Sequence, residues 1–384
     1  MGMSSAANGV TSESSVSRRD IRPGAEIIVG LSGGVDSAVA LALLQEADFA
    51  VRAVFMKNWD EDDETGYCAA AEDLRDAERV CGHLGVELRT VNLSTEYCEN
   101  VFNCFVETYQ RGQTPNPDVL CNSEVKFRAF LDFATDLGAD LIATGHYARI
   151  EQRGGRYRLL KGLDAGKDQS YFLCLLDQDQ LERAVFPLGA LEKTEVRNLA
   201  RRLGLHNHSR RDSTGICFIG ERPFKTFLQR FLPRHPGPIV SVAGRELGLH
   251  DGLMYYTIGQ RQGLGIGGDK TGDGRAWYVA GKDFERNALV AVQGREHPSL
   301  YAPALSAVEA HWIRGSAPQL PLSCHAKIRY RQPDQACTVH ELTDAAYRVR
   351  FAEPQWAIAP GQTIVFYDGD ECLGGATIRD PLDA

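Results

Sequence analysis

The sequence lacks a membrane-spanning run and a secretory signal. None of its apolar runs approaches the roughly 20 residues that cross a bilayer. Residues 1–20 are rich in Ser, Ala and Gly and contain no hydrophobic segment, so we expect residues 1–22 to form a disordered extension. A short organellar transit peptide is the alternative interpretation. The composition as a whole predicts a cytoplasmic protein without a membrane partner.

A paired-cysteine motif is also missing. The chain has ten cysteines but no C-x-x-C pair, which argues against a standard zinc site and, without a secretion signal, against a disulfide framework. Most of the thiols should therefore be reduced and buried. Six of them lie in helix-like or strand-like sequence and are expected in the core: Cys81, Cys98, Cys104, Cys324, Cys337 and Cys372.

The length of 384 residues and the hydrophobic content of 43% are sufficient for two or three domains with their own cores. Near the N-terminus, strand-like runs alternate with helical ones, which predicts an α/β domain with a parallel sheet covered on both faces. The predicted strands are 27–31, 51–56, 88–93 and 140–144, and the predicted helices are 35–47, 69–84, 96–109 and 124–137.

The second half of the chain has a different pattern. Helical stretches at 194–203 and 223–231 precede a proline-dense segment, 233–238, which indicates a domain boundary. Short alternating runs follow at 276–280, 288–292, 325–330 and 363–367, with a break at 297–303. We therefore predict a catalytic domain over 23–232, a small central β-rich domain over 233–298 and a C-terminal β-barrel-like domain over 299–384.

The net charge of −9 conceals two oppositely charged segments. Residues 60–78 contain nine acids and one base, whereas residues 193–234 contain ten bases and three acids. A charged run alone usually forms a solvated surface. The basic segment is the more informative one because it contains Cys217.

The motif that carries most chemical information is a glycine turn between a strand and a helix. Residues 27–37 read Ile-Ile-Val-Gly-Leu-Ser-Gly-Gly-Val-Asp-Ser. Gly33 and Gly34 let the backbone approach an anion closely, while Ser32, Ser37 and the free amides of the helix donate to its oxygens. This Ser-Gly-Gly-x-Asp-Ser turn is typical of ATP pyrophosphatases, and it predicts a polyphosphate site at the carboxyl ends of the strands.

Two cysteines differ from the others because we expect them in loops. Cys121 follows a segment stiffened by Pro115 and Pro117 and precedes a predicted helix, where a thiol is biased toward thiolate. Cys217 lies among cations that also favour the anion. A structural role is the alternative for each one alone. Together with an ATP-pyrophosphatase turn, however, the pair indicates sulfur chemistry.

The chain resembles the bacterial tRNA-specific 2-thiouridylases from about Glu26 to Ile378. The matching motifs are Gly30 to Ser37, Asn116 to Lys126, Ala143 to Tyr147, Lys167 to Leu173, Ser213 to Arg222, Thr257 to Gly268, Arg329 to Gln332 and Pro360 to Gln362.

The resemblance implies a role for each matching residue. Those that would bind ATP are Gly30, Leu31, Ser32, Gly33, Gly34, Val35, Asp36, Ser37, Met56 and Gly145. Those that would meet the target uridine are Asn116, Pro117 and Asp118, with Asp118 as acid or base. Those that would contact the tRNA are His146, Lys167, Asp168, Gln169, Arg329, Tyr330 and Gln362. Cys121 would be the nucleophile and Cys217 the persulfide carrier, and the two would end the cycle as a disulfide.

The implied reaction exchanges the C2 oxygen of a wobble uridine for sulfur. ATP would adenylate that oxygen, with Mg2+ balancing the phosphate charge and Asp36 as a candidate metal contact. A sulfur-carrier protein would supply the persulfide. Free hydrogen sulfide and direct persulfide attack both stay open as routes.

Two other functions compete with this one. An ATP pyrophosphatase that adenylates a small molecule or a carboxylate for amination would share the glycine turn but would not need two reactive cysteines. A non-catalytic RNA-binding protein would not need the turn at all.

Overall fold

The computed structural model describes residues 21–22, 24–59, 69–211, 224–266, 274–343 and 345–383. The chain divides into two compact units, each assembled from separate stretches of sequence. The first takes its residues from 1–93, 127–170 and 178–213, and the second from 94–126, 171–177 and 214–384. Residues 94–126 and 171–177 of the predicted catalytic domain therefore belong to the second unit. The domain boundaries at 22, 232 and 298 stay predictions.

The helices follow the predicted pattern with one shift. In chain order they are α1 (Val35–Glu46), α2 (Ala69–Leu84), α3 (Ser94–Tyr97), α4 (Asn103–Gln110), α5 (Pro117–Leu120), α6 (Phe130–Asp136), α7 (Gln178–Arg183), α8 (Lys193–Arg202) and α9 (Phe224–Leu228). π-helical segments at Cys98–Phe102 and Cys121–Ala129 precede α4 and α6. The helix predicted to start near residue 124 was placed too late. Helical structure begins at Pro117, because a proline at the first helical position is already preset for it.

The first unit contains the predicted parallel sheet. Its strands are β1 (Glu26–Gly30), β2 (Ala50–Lys57), β3 (Leu88–Asn92), β4 (Leu141–Ala143), β5 (Ala148–Arg153), β6 (Arg156–Lys161) and β7 (Ala184–Val185). The sheet has the order β3-β2-β1-β4-β7 with every neighbouring pair parallel, and β5 and β6 form an antiparallel hairpin. The α/β prediction is confirmed.

The complete burial of β1 follows from its central position in the sheet. Ile27, Ile28 and Val29 are each 0% exposed, as expected for a strand with neighbours on both sides and helices on both faces. Helix α1 is apolar around most of its circumference and is buried continuously from Ser37 to Leu44. Its N-terminus is consequently held firmly at the carboxyl end of β1, where the glycine turn lies.

The second unit contains a small sheet and a closed barrel. The sheet strands are β8 (Gly237–Ser241), β9 (Glu246–His250), β10 (Trp277–Asp283) and β11 (Ala288–Gln293), in the order β10-β11-β8-β9. The barrel strands are β12 (Tyr301–Trp312), β13 (Leu322–Lys327), β14 (Gln335–Thr343), β15 (Ala346–Trp356), β16 (Thr363–Asp368) and β17 (Glu371–Leu382). Pairing of β12 with both β15 and β17 closes this antiparallel barrel, which confirms the β-rich and barrel predictions.

The cysteines are distributed less uniformly than expected. Cys81, Cys324, Cys337 and Cys372 are buried, in agreement with the prediction. Cys98 and Cys104 are exposed, so the core prediction was wrong for these two. Both lie on the helical stretch from Ser94 to Gln110, whose buried face is formed by larger side chains such as Phe105 and Tyr109. Among the described residues, no helix is both long enough and apolar enough to span a membrane.

Candidate functional site

The glycine turn of the first unit has the geometry of an anion cradle. Gly33 has a φ of 77°, and a Cβ at this position would lie 2.4 Å from the carbonyl oxygen of Asp73. Gly34 is the N-cap of α1 and supplies no side-chain cap to the first amides of the helix. A glycine is therefore required at residue 33 by both backbone conformation and space.

Two serine hydroxyls brace the same turn. The Ser37 hydroxyl accepts a bond from the Ser32 amide at 3.2 Å and lies 3.3 Å from the Gly34 carbonyl oxygen as its donor. The hydroxyls of Ser32 and Ser37 are themselves 3.2 Å apart. This bracing fixes the path of the loop before any ligand enters, so the positive end of the α1 dipole and the loop amides already point at one place.

The other predicted nucleotide residues of the first unit meet this turn. A Cβ on Gly145 would lie 2.7 Å from the Ser37 amide nitrogen, and one on Gly30 would lie 3.1 Å from the Met56 methyl group. Gly145 follows β4 and Met56 lies near the end of β2. The carboxyl ends of three adjacent parallel strands thus converge, as ligand sites in such sheets require.

Lys193 is part of this site, although the sequence interpretation did not single it out. Its ammonium donates to both carboxylate oxygens of Asp36 at 2.8 Å, and the Tyr147 hydroxyl donates to Oδ1 of Asp36 at 2.8 Å. Lys193 is 8% exposed and opens α8. The available signal was a lysine directly before the predicted helical stretch 194–203, at the start of the basic segment, which by itself suggested only a charged surface.

Asp36, the predicted metal contact, already has hydrogen-bond partners within the protein. The carboxylate already accepts from an ammonium and from a hydroxyl. Among the described residues, no group of three His, Cys, Asp or Glu side chains is arranged to hold a metal ion. A magnesium ion at this site would accordingly depend on phosphate oxygens and water for most of its ligands.

A buried turn carries Lys167, Asp168 and Gln169. The Asp168 carboxylate accepts from the Gly162 amide at 3.0 Å and from both the amide and the hydroxyl of Ser170 at 3.0 Å. Gln169 bonds to the Tyr147 backbone through both its amide and its side chain. Asp168 is 6% exposed, so its side chain shapes the turn, and its tRNA contact stays a prediction.

The same turn is linked to Lys193. Asp164 accepts from the Lys193 backbone amide at 3.0 Å through Oδ2 and from the Gly166 amide at 2.9 Å through Oδ1. The glycine turn, residues 145–147, residues 164–169 and the start of α8 thus form one hydrogen-bonded group within the first unit. We call this group the first-unit network.

His146 is buried beside the first-unit network. Its Nδ1 lies 2.7 Å from the Thr144 hydroxyl, and its ring lies 5.9 Å from those of both Phe127 and Phe186. It is 8% exposed. Only a small part of the His146 ring is therefore exposed for the predicted contact with tRNA, and that contact stays a prediction.

The two charged segments of the sequence partly neutralise each other. Arg210, from the basic segment, donates to Asp76 at 2.6 Å and to Asp73 at 2.5 Å, both from the acidic segment. Burial raises the pKa of the Asp73 carboxyl despite this bond. Arg210 also reaches the Gly33 carbonyl at 3.3 Å, and the Asn207 amide donates to the same carbonyl at 2.9 Å. Part of the basic segment therefore clamps the glycine turn.

In the second unit, the predicted base-binding residues begin α5. Asn116 is the N-cap and Pro117 occupies the first turn. The Gln362 amide donates to the carbonyls of Thr114 at 3.0 Å and Pro115 at 2.9 Å. Gln362 was predicted to contact tRNA by resemblance. Its amide supports the backbone that leads into Asn116, a role the sequence pattern did not reveal.

Cys121 lies four residues after Pro117, and it is 0% exposed. We expected Cys121 in a loop, but it is the first residue of the π-helical segment that continues α5. The prediction that Cys121 favours the thiolate assumed a helix that begins at Glu124. Because Cys121 already lies within helical structure, that argument does not apply. Asn122 reinforces the stretch by donating to the Asp118 carbonyl at 2.9 Å. Cys217, its predicted partner, lies outside the described residues, as does the rest of 212–223.

Arg329 and Tyr330 lie between β13 and β14 of the second unit. The Arg329 guanidinium donates to the carbonyls of Ile258 at 3.1 Å and Ala357 at 2.9 Å, and burial lowers its pKa. The Tyr330 ring lies 4.4 Å from that of Phe172. In this arrangement Arg329 joins the small sheet region to the barrel, and its contact with tRNA stays a prediction.

Tyr171 connects these parts to α5. Its hydroxyl donates to the Thr363 carbonyl at 2.7 Å and shares a hydrogen bond with the Asn116 side chain. Burial raises the pKa of this hydroxyl far above its ordinary value, which keeps it a donor. We call this set the second-unit network, formed by Asn116, Tyr171, Arg329, Tyr330 and Gln362 with their partners.

Comparison with known proteins identifies the family. A model described as the tRNA methyl transferase HUP domain matches residues 25–221, and models of the corresponding PRC-barrel and aminomethyltransferase β-barrel domains match 225–293 and 303–378. The chain is 57% identical to the tRNA-specific 2-thiouridylase MnmA of Methylococcus capsulatus, over 92% of this chain and 95% of the relative. The chain belongs to the tRNA-specific 2-thiouridylase family.

A second curated relative agrees with this assignment, and a solved structure shows a weaker likeness. The chain is 55% identical to the tRNA-specific 2-thiouridylase MnmA of Pseudomonas aeruginosa over 92% of this chain and 94% of the relative. Among solved structures it is similar to the U34-tRNA thiolase NcsA of Methanococcus maripaludis, with a TM-score of 0.32, 15% identity and coverage of 57% of this chain and 69% of that one. The domain models carry methyltransferase names, but the full-length relatives are thiouridylases.

Proposed function

We propose that the chain is a tRNA 2-thiouridine synthase that uses ATP and a cysteine persulfide to replace the C2 oxygen of a wobble uridine by sulfur. The observation that carries this proposal is the 57% identity to a 2-thiouridylase over 92% of the chain. The glycine turn with its converging partners, and the location of Asp118 and Cys121 on one helical stretch, support it from the geometry.

The first step needs a leaving group. A pyrimidine carbonyl oxygen is a poor leaving group and must be activated. The C2 oxygen attacks the α-phosphorus of ATP, pyrophosphate departs, and the oxygen becomes part of an AMP ester. The loop amides, Ser32 and Ser37 hold the departing phosphates, and the Lys193 ammonium, fixed by Asp36, adds a positive charge beside them. Magnesium, when bound, would add positive charge at the phosphates, and Asp36 of the glycine turn is the carboxylate that would contact it.

The second step delivers sulfur. A sulfur-carrier protein loads Cys217 with a persulfide, and the Cys121 thiolate attacks the Cys217 sulfur, releasing hydrosulfide that displaces AMP from C2. In the second route, the terminal persulfide sulfur attacks C2 and Cys121 then breaks the bond between that sulfur and Cys217. Both routes leave a Cys121–Cys217 disulfide, which a dithiol reductant resets by donating two electrons and two protons and becoming a disulfide itself. Asp118 moves the proton at the uracil ring.

The tRNA must present its base outside the stack. Anticodon-loop bases are the least costly to unstack, which fits a wobble uridine. We infer that residues in each unit contact the tRNA or support residues that do. In the first unit these are His146, Lys167, Asp168 and Gln169, and in the second they are Arg329, Tyr330 and Gln362. Exposed cations of the basic segment, Arg201 and Arg202, add phosphate contacts. A reaction that depends on thiols favours the reducing cytoplasm as its compartment.

The decisive experiment is direct product detection. The protein is incubated with tRNA, ATP, magnesium and a persulfide source, and the digested RNA is examined for 2-thiouridine by mass spectrometry. Cys121→Ser and Cys217→Ser should each abolish the product, whereas Cys104→Ser, at an exposed thiol, should leave it unchanged. Full product from either variant would contradict the role assigned to that cysteine. Absence of 2-thiouridine from the wild-type reaction, with full ATP-dependent activity in both cysteine variants, would favour the carboxylate-adenylating alternative, which family membership already disfavours.

A further inference from the structure

Two thiols face each other inside the C-terminal barrel. Cys324 on β13 and Cys337 on β14 are direct register partners in an antiparallel pair. Their sulfur atoms are 3.7 Å apart. Both side chains belong to the barrel core, and Cys324 and Cys337 are 8% and 6% exposed. Neither residue has a part in the reaction proposed above.

The backbone already meets the requirement of a disulfide. Directly opposite residues of an antiparallel pair have Cα atoms about 4.5 to 5.5 Å apart, within the range of about 4.4 to 6.8 Å found across disulfides. The sulfurs must approach from 3.7 Å to a bond length of about 2.05 Å. A change in side-chain torsion supplies that movement without shifting the strands.

Cys372 provides an internal comparison. It lies on β17 of the same barrel and is 1% exposed, so it is as well buried as the pair. Its register partner across the strand pair is Tyr367. Burial in the barrel alone therefore does not place a thiol opposite another thiol.

We propose that Cys324 and Cys337 form a reversible cross-strand disulfide, a redox modification site in the barrel that is separate from Cys121 and Cys217. The oxidant is a small disulfide such as oxidised glutathione. One barrel thiolate attacks it and releases one glutathione thiolate; the second barrel thiolate then attacks the mixed disulfide and releases the other. Two electrons pass from the pair to the oxidant, and two protons accompany them.

The exchange is slow at neutral pH. The hydrogen bond with Cys324, together with burial, raises the pKa of the Cys337 thiol, so little thiolate is present. The disulfide would cross-link the two strands on either side of residues 328–334, which include Arg329 and Tyr330. Such a cross-link restricts opening of this hairpin and should raise the melting temperature of the chain.

The test uses the full-length chain. It is incubated with a range of oxidised-to-reduced glutathione ratios, quenched in acid, alkylated and digested. We expect a Cys324–Cys337 cross-linked peptide that dithiothreitol reverses, that persists in Cys372→Ser, and that accompanies a rise in melting temperature. Cys324→Ser and Cys337→Ala should each lose both the peptide and the rise.

Three outcomes would overturn the proposal. The first is that both barrel thiols of the wild-type chain remain fully alkylatable when exposed Cys98 and Cys104 are already glutathionylated. The second is that Cys372 joins the cross-links as often as the pair does, which would indicate oxidation of unfolded chains. The third is an unchanged melting temperature in fully cross-linked protein. The wild-type measurements decide the matter even if a variant fails to fold.

Discussion

At the scale of single residues, Lys193 shows how a buried charge can organise a site. Its ammonium is held by both oxygens of Asp36, and its backbone amide is held by Asp164. Lys193 is 8% exposed, and burying an ammonium is costly unless a partner compensates for the lost hydration. In the first-unit network that partner belongs to the glycine turn, so the charge lies where phosphates are proposed to bind.

Replacing this lysine should reduce catalysis. We expect Lys193→Ala to lower the rate of ATP-dependent pyrophosphate release by about 10-fold to 100-fold, because a charged hydrogen bond is worth about 1.5 to 3 kcal/mol. Lys193→Arg should retain part of the activity. The rates are measured with saturating tRNA over a range of ATP concentrations.

Lys225 supplies the matched control for Lys193. It also pairs with an aspartate, Asp251, but its side chain is 44% exposed. An exposed pair contributes about 0 to 1 kcal/mol, so Lys225→Ala should change the rate little. Equal rates for the two alanine variants would contradict a role for Lys193 in phosphate binding.

Gly33 and Gly24 separate backbone strain from lack of space. Both have a positive φ, 77° and 78°, but a Cβ at Gly24 meets nothing within 4 Å, whereas one at Gly33 lies 2.4 Å from a carbonyl oxygen. We expect Gly24→Ala to cost about 1 kcal/mol of unfolding free energy. Gly33→Ala should cost clearly more and should also abolish ATP-dependent activity. Urea unfolding measures the first quantity, and similar losses in both variants would show that the turn has room to relax.

Lys282 gives a prediction for the pH dependence of stability. It is partly buried, donates to the Gly112 carbonyl at 2.6 Å, and burial lowers its pKa from 10.5 to about 8. The unfolded chain therefore binds this proton more tightly than the folded chain does. Between about pH 8 and 10.5 the folded chain has lost the proton while the unfolded chain keeps it, so the unfolding free energy should rise with pH.

The size of this effect is isolated by a variant. The difference in unfolding free energy between wild type and Lys282→Met should change by up to about 3 kcal/mol across that interval, in favour of the wild type as pH rises. Comparing the two proteins removes the contributions of other groups that titrate there. A difference that is independent of pH would contradict the lowered pKa.

At the scale of elements, the sequence predicted regular structure better than it predicted contacts. The strands β1 to β4 and helices α1, α2 and α8 were recognisable because apolar spacing is a local property. The start of α5 at Pro117 was missed because paired prolines were interpreted as a stiff loop. The bonds from Gln362 to Thr114 and Pro115 span about 250 residues of sequence, and no local pattern encodes them.

Gln362 yields a prediction at this scale. Removing its amide leaves two backbone carbonyls without their donor just before α5, which should loosen Asn116 and the stretch that carries Asp118 and Cys121. We expect Gln362→Ala to lower kcat several-fold while the Kd for tRNA changes little. A side chain that acts only by contacting tRNA would give the opposite result, a weaker Kd with kcat preserved.

The control for Gln362 comes from the same barrel. Gln335 donates to the Pro333 carbonyl at 3.0 Å and accepts from the Gln355 amide at 3.3 Å. Gln335→Ala removes a glutamine of the same chemistry without touching α5, so kcat should be unchanged. Measuring kcat from single-turnover formation of 2-thiouridine keeps product release out of the comparison.

At the scale of the whole molecule, charge was the property that sequence reasoning resolved least well. The acidic and basic segments looked like two independent poles, but Arg210 pairs with Asp73 and Asp76, more than 130 residues away. The pairing depends on how α2 and the turn after α8 meet within the first unit, which composition cannot specify. The described cations of the basic segment therefore fall into two groups, those paired within the fold and those exposed to solvent.

The exposed group determines the last prediction, the salt dependence of tRNA binding. Arg201 and Arg202 lie exposed at the end of α8, whereas Arg210 is engaged by two carboxylates. A chain with a net charge of −9 binds a polyanion only through such local cations, so the logarithm of affinity should fall steeply with the logarithm of salt concentration. The combined change of Arg201 and Arg202 to Ser should make this slope less steep by about 1 to 2, since each phosphate contact contributes about 0.7 to 0.9 to its magnitude.

Arg286→Ser, at an exposed arginine beside Asp283, is the control and should leave the slope unchanged. The Kd for tRNA is measured at several salt concentrations for all three proteins, and a wild-type slope near zero would remove the electrostatic basis of the proposed tRNA surface.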